Sequence, residues 1–254
     1  MLNMQAFFAN LLARLYGIYA ILAFAAVTIP TLPLLAVVSG EDNRRWLARN
    51  AAKLWFRLVA AKLTVSGMEH LPAQPCVVVA NHASYLDGVI LTAALPARFT
   101  FVIKKEMTRV PVVNYFLSRL GSIFVDRSNH HRAATDARRI LNLATRKKSI
   151  AFFPEGTFTA EPGLRRFRNG AFTVAQRGEL PVVPVIIHGS RKMLPAKRLL
   201  PVRSQIEVLI KPPVASDPDQ ISSDELMHAC RNSILENLNE PDNGAVDRKA
   251  AGVG

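Results

Sequence analysis

The 254-residue chain is half hydrophobic, which excludes disorder of the whole and leaves enough length for one large domain with a sizeable core. It carries 32 basic against 19 acidic residues, a net charge of +13, yet no zinc-finger spacing and no aromatic-basic RNA-binding run, so nucleic acid is not the expected anionic partner. The two cysteines, Cys76 and Cys230, lie far apart, with neither metal-ligand spacing nor a disulfide framework.

In chain order, the first element is an uncharged run of 24 residues at 15–38. About 20 apolar residues suffice to span a bilayer. Pro30 and Pro33 lie inside the run, and each removes a helix donor. A kinked spanning helix and a re-entrant hairpin both fit. A cleaved signal peptide is a third reading, although it usually has a basic start and a shorter apolar stretch. Arg14 on one side and Arg44 and Arg45 on the other leave the orientation open.

The next stretch, "NRRWLARNAAKLWFRLVAAK", predicts a basic amphipathic helix. Trp46, Leu47, Leu54, Trp55, Leu58 and Val59 recur near helical spacing, while Arg45, Arg49 and Lys53 step by four along another stripe. Such a helix suits a lipid interface; a helix packed on the domain with its polar face in water has the same pattern.

Beyond Gly67, short β-rich runs alternate with helix candidates. The runs are "CVVVA" (76–80), "FTFVI" (99–103), "SIFV" (122–125), "SIAFF" (149–153), "VVPVII" (182–187) and "QIEVLI" (205–210). Helices are predicted over 88–95, 112–120, 133–145, 171–177 and 224–238, the last behind a Ser222…Glu225 capping box. Continuous apolar strands separated by helices predict an α/β fold, with a mostly parallel or mixed central sheet flanked by helices. Pro184 predicts that its strand is at an edge or bulged. The expected organisation is a membrane-associated helical element over 1–62, the α/β domain over 63–240 and a flexible tail over 241–254.

Sites in open α/β sheets form at the carboxyl ends of strands. Three polar clusters fall there: "NHASYLD" (81–87), "VDR" (125–127) and "PEGT" (154–157). His82 and Asp87 are five apart. On one straight helix they would sit about 140° apart and never meet. With His82 in the turn before the helix and Asp87 in its first turn, the carboxylate could hold one imidazole nitrogen and leave the other as a base. An ordinary loop with a helix-start aspartate has the same spacing. The basic residues crowd nearby: residues 104–148 hold 11 Lys/Arg against 3 Asp/Glu, and 165–203 hold 9 against 1. These fields suit phosphorylated substrates, anionic lipid or acidic proteins, although a solvated surface shares the composition.

The ordered set "NHASYLD", "GSIFVDR", "FPEGT" and "VVPVII", over about residues 65–210, resembles the glycerolipid acyltransferase family, and most of all its 1-acylglycerol-3-phosphate (lysophosphatidate) members. The resemblance implies an α/β acyltransferase domain behind a membrane-associated helical element, located at the cytoplasmic face of a membrane. It makes His82 and Asp87 the catalytic pair and Arg127 a ligand of the acceptor phosphate. Glu155, Gly156 and Thr157 match the acceptor-site loop, and Val183–Ile186 a block linked to structure and acyl handling. The third block usually reads "EGTR" or "EGTS"; here Phe158 follows, and it cannot contact phosphate as an arginine would. Arg165, Arg166 and Arg168 restore charge close by, and Lys105, just after a strand, is a further candidate for the crevice.

The implied chemistry is direct transfer. His82 takes the proton of an acceptor hydroxyl, that oxygen attacks an acyl thioester, and Asp87 holds the imidazole. The thioester, on acyl-carrier protein or coenzyme A, is a co-substrate; no cofactor or metal is required. Ser84 lacks a "GxSxG" elbow, so an acyl-serine esterase is the weaker alternative. Cys76, inside a predicted buried strand, reads as core, and His130 and His131 read as a polar loop. An acceptor of another kind, such as a lyso-aminolipid, stays open.

Overall fold

The computed structural model describes residues 2–126 and 130–244. Its centre is a seven-stranded mixed sheet, ordered β1-β7-β6-β2-β5-β3-β4. The strands are β1 (Leu63–Ser66), β2 (Val77–Ala80), β3 (Thr100–Lys104), β4 (Ile123–Val125), β5 (Ile150–Phe152), β6 (Val182–His188) and β7 (Ile206–Ile210). Only β6 and β7 pair antiparallel; the other neighbours run parallel.

Alternation along each strand sorts side chains to two faces. Val78, Ala80, Val183, Val185, Val208 and Ile210 fill one core with α2 (Glu41–Leu58) and α3 (Asp87–Ala94). Val77, Val79, Ile150, Val182 and Ile186 fill the other, under α5 (His130–Thr145), α6 (Gly170–Arg177) and α8 (Ser223–Leu238). α4 (Pro111–Arg119) lies between β3 and β4, and one further turn, α7 (Ser190–Met193), follows β6. α8 begins at the expected capping box: Ser222 Oγ accepts from Glu225 N at 3.2 Å, and Ser222 N donates to Glu225 Oε2 at 2.9 Å.

Pro184 departs from the edge expectation. Its strand is interior, between β7 and β2. Nor is β6 itself bulged; the extra residue is on the facing segment, since Val185 faces Ile210 and Val182 faces Val214, so three steps along β6 oppose four from residue 210 to residue 214. The missing donor of Pro184 thus falls beside a break in the ladder, and its carbonyl still accepts from Lys211 N at 3.0 Å.

The N-terminal run is one continuous helix, α1 (Leu2–Val37), passing through Pro30 and Pro33 rather than folding back as a hairpin. The segment Ala6–Val37 contains an 18-residue window with a mean hydropathy of 2.2, and the helix is long and apolar enough to cross a membrane. One side of α1 is docked: Trp55 Nε1 donates to Ala20 O at 2.9 Å, Tyr16 Oη to Val59 O at 3.0 Å, and Arg119 caps Leu35 O. The other side exposes Phe7, Phe8, Leu12, Leu15, Leu22 and Ile29. In α2 the basic stripe splits. Arg45 is buried, donating to Leu120 O at 2.9 Å and Thr100 Oγ1 at 2.8 Å, whereas Arg49 and Lys53 stay partly exposed. Arg45 therefore ties α2 to the β3–α4 region instead of facing lipid. Of the tail expected to fray from Pro241, the first residues are held, Leu164 N donating to Pro241 O at 2.9 Å and Asn243 N to Leu164 O at 3.0 Å.

Candidate active site

β2 ends at Ala80, and Asn81 then imitates a strand residue. Its side chain donates to Ile187 O at 3.1 Å and accepts from Ile187 N at 2.8 Å. This extends the β2–β6 contact by one rung while the main chain turns away and delivers His82. Asp87 opens α3, where the helix N-terminus favours a carboxylate. Its Oδ2 accepts from His82 Nδ1 at 2.8 Å, Ala83 N at 2.6 Å and Ser84 N at 2.8 Å. The pair meets because His82 precedes the helix, so the angular separation of a straight helix never applies. Asp87 is wholly buried, while 20% of the His82 side chain is exposed. With Nδ1 engaged, Nε2 is the nitrogen available to a substrate proton.

Aromatic rings wall the imidazole. Phe153 stacks on it at 4.4 Å between centroids, and Phe158 leans on it at 4.5 Å with a 56° tilt. Tyr85 meets Phe158 edge-on at 4.8 Å. Neither Asn81 nor Phe153 stood out in the sequence, although Asn81 opens the first block and Phe153 the third.

Glu155, the first acceptor-loop candidate, is buried and fully engaged by backbone. Oε1 accepts from His82 N at 2.6 Å and Oε2 from Arg165 N at 2.9 Å. Gly156 has φ +76°, a left-handed turn that suits glycine, and its N–H donates to Phe153 O at 3.0 Å. Thr157 is half-buried beside it. Arg168 donates its backbone N–H to Pro154 O at 2.9 Å and exposes its side chain. Lys105 follows β3, and its Nζ reaches Asp126 Oδ2 at 3.1 Å. That places it beside the end of β4, next to the residue preceding Arg127; Arg127 itself lies outside the described residues. β3 and β4 are two and three strands from β2, about 10 and 14 Å across the sheet, on the carboxyl-end side that carries His82.

Ser84 cannot serve as a nucleophile in this arrangement. It is fully buried, and its Oγ donates to Leu194 O at 2.7 Å while accepting from Leu86 N at 3.0 Å. Cys76 is core, and burial pushes its thiol up to about 11. His130 and His131, read as a loop, instead begin α5.

Burial pushes the Glu155 carboxyl up to about 7, against the two N–H donors that favour its anion. The fold therefore holds a proton there that unfolding releases above the ordinary value of 4.5. The stability from this group is fully present below about pH 4.5 and is lost as pH rises through about 7. Unfolding free energies from urea titrations between pH 4.5 and 7 should fall by up to about 3 kcal/mol in the parent from this group, and Glu155→Gln should flatten that slope.

A model of the Acyltransferase family matches residues 62–188, half of the chain. The chain is 30% identical over 202 residues to the chloroplastic 1-acyl-sn-glycerol-3-phosphate acyltransferase BAT2 of Brassica napus; the match covers 77% of this chain and 57% of the length of that protein. It is 28% identical over 214 residues to the 1-acyl-sn-glycerol-3-phosphate acyltransferase of Saccharomyces cerevisiae, covering 82% and 70%. The crystal structure of the 1-acyl-sn-glycerophosphate (LPA) acyltransferase, PlsC, from Thermotoga maritima shares the fold, with a TM-score of 0.74 at 24% identity over 91% of this chain and 95% of that one. The matched segment runs from just before β1 to the end of β6 and contains the His82–Asp87 turn, the Glu155 loop and the strands that carry both, so the chain belongs to the Acyltransferase family.

Proposed function

We propose that the protein transfers a fatty acyl group from an acyl thioester to the free hydroxyl of 1-acylglycerol-3-phosphate, giving phosphatidate. The observation that carries the reading is the His82 Nδ1–Asp87 Oδ2 contact of 2.8 Å at a strand end, with the imidazole partly open to the outside. His82 Nε2 accepts the hydroxyl proton as the oxygen attacks the thioester carbon. The C–S bond then breaks and the thiol leaves with that proton. Asp87 stabilises the imidazolium between the two steps. No acyl-enzyme forms, consistent with the buried and engaged Ser84 hydroxyl. The donor is acyl-carrier protein or coenzyme A thioester. The apolar outer side of α1 attaches the protein to the cytoplasmic face of a membrane, where both lipids reside.

Arg127, with Lys105 and Arg168 as helpers, holds the acceptor phosphate. A lost charge-assisted contact costs on the order of 1.5–3 kcal/mol, so Arg127→Ala should lower kcat/KM for the acceptor about tenfold to a hundredfold and the donor constant much less. Separate titration of each substrate checks this, and an unchanged acceptor constant moves the phosphate elsewhere. A second reading, a lyso-aminolipid acceptor, is favoured by Phe158 packed on His82 where an arginine or a serine is usual. Labelled acyl thioester incubated with the purified protein and a panel of lysolipids decides between them. A product other than phosphatidate sinks the first reading, and free fatty acid without any acceptor supports an esterase.

A further inference from the structure

We propose that Arg191 and Glu240 are positioning residues for transfer: together they fix the loop that carries Phe158 against His82 and so keep water from replacing the acceptor hydroxyl. The inference rests on the reading of His82 as the base.

The loop from Thr157 to Leu164 has no helix or strand of its own, so its backbone groups need outside partners. Arg191, at the start of α7, supplies two. Its Nη1 donates to Thr159 O at 2.7 Å and to Glu161 O at 2.8 Å. Its Nε and Nη2 form a bidentate pair with Glu240, each at 2.9 Å. Glu240 Oε2 also accepts from Gly163 N at 2.7 Å. Both side chains are largely buried, 15% and 19% exposed, so these contacts are poorly screened. An isolated ion pair needs only its two members. This one uses its remaining donors and acceptor on three backbone groups of a single loop.

Two further contacts set how the loop stands. Asn243 Nδ2 donates to Pro162 O at 2.9 Å, and Gly163 has φ +132° with Asn243 against the place a Cβ would occupy. At its base, Glu155 joins Arg165 N to His82 N. The loop is therefore braced on the base's own backbone at one end and by Arg191 and the C-terminal segment at the other. Phe158, one residue before Thr159, sits on the braced stretch and touches the imidazole.

A slack loop lets Phe158 leave the imidazole. Water then adds to the thioester carbonyl in place of the acceptor and gives its proton to His82. The C–S bond breaks, the thiol leaves with that proton, and free fatty acid results. The distinguishing readout is hydrolysis relative to transfer, which a loss of overall stability alone does not change.

The test uses the full chain in mixed micelles with oleoyl coenzyme A, and measures thiol release without acceptor and transfer to 1-oleoylglycerol-3-phosphate. Arg191→Lys and Glu240→Gln should each raise the hydrolysis-to-transfer ratio about tenfold. The exchange Arg191→Glu with Glu240→Arg should not restore it, because it turns a carboxylate toward the carbonyls of Thr159 and Glu161. Phe158→Ala should raise the ratio without touching the clamp, and it decides the matter if the clamp variants fail to fold. An unchanged ratio in folded single variants, restoration by the exchange, or an unchanged ratio in Phe158→Ala overturns the inference. His82→Ala, run alongside, separates the two failures: normal transfer there defeats the base, whereas a His82-dependent enzyme with an unmoved ratio defeats only the clamp.

Discussion

His82→Ala is expected to lower kcat/KM for transfer by about 10²–10⁴-fold, the usual range for a removed general base, while the fold survives. The survival follows from the surroundings. Asp87 Oδ2 keeps two donors, Ala83 N and Ser84 N, so no buried carboxylate is stranded. The loop still receives Glu155 through the backbone N–H of residue 82, which alanine retains. The imidazole is partly exposed, so its loss opens the site outward instead of leaving a sealed void. Circular dichroism and a thermal midpoint measured beside the labelled-thioester assay check both halves. A folded His82→Ala protein with more than a tenth of the parent activity would end the proposed mechanism.

Asp87→Asn should cost about 10²-fold in transfer, less than His82→Ala, and unlike that variant it should also lower stability. Two orientations are open to the amide, and both are poor. With its oxygen toward Ala83 N and Ser84 N, the imidazole keeps its acceptor but loses the negative charge that stabilises the imidazolium. The NH₂ then occupies the place of Oδ1, which is buried with no hydrogen-bond partner among the described residues. With the amide reversed, NH₂ faces two backbone N–H groups and His82 Nδ1. An unsatisfied buried donor costs about 1–3 kcal/mol. Urea titrations of Asp87→Asn and His82→Ala side by side should therefore rank the two in the opposite order to their activities. If Asp87→Asn retains parent-like activity, the carboxylate serves the loop and not the base.

How much of this was legible in the sequence depends on range. Six strands of the sheet were readable as short apolar runs, the interior β2, β5 and β6 almost unbroken because strands buried on both faces need no polar alternation. β1 was not: Leu63 and Val65 face the core, but Thr64 and Ser66 do not, and two apolar positions on an edge strand make no pattern. The family blocks marked His82, Asp87 and Glu155. Spacing alone, however, left the pair unresolved, and the hold of Glu155 on His82 N and Arg165 N was visible only once the chain had folded.

The sequence by itself determined the alternation of strands and helices, the long apolar run at the start, the capping box of α8 and the blocks that hold His82, Asp87 and Glu155. Each of these is written in neighbours a few positions apart, through periodicity, local hydrogen bonding or a short block. Only the tertiary structure decided the rest. It put Pro184 in an interior strand, because the bulge opposite it was made by residues 211–214. It buried Arg45, because carbonyl and hydroxyl partners came from residues 120 and 100. It held Pro241 and Asn243 on Leu164, and Glu240 on Gly163, contacts formed across some eighty residues of chain. A polar or proline residue is satisfied or not by what folding brings beside it, and that partner is invisible until the sheet and its loops have closed.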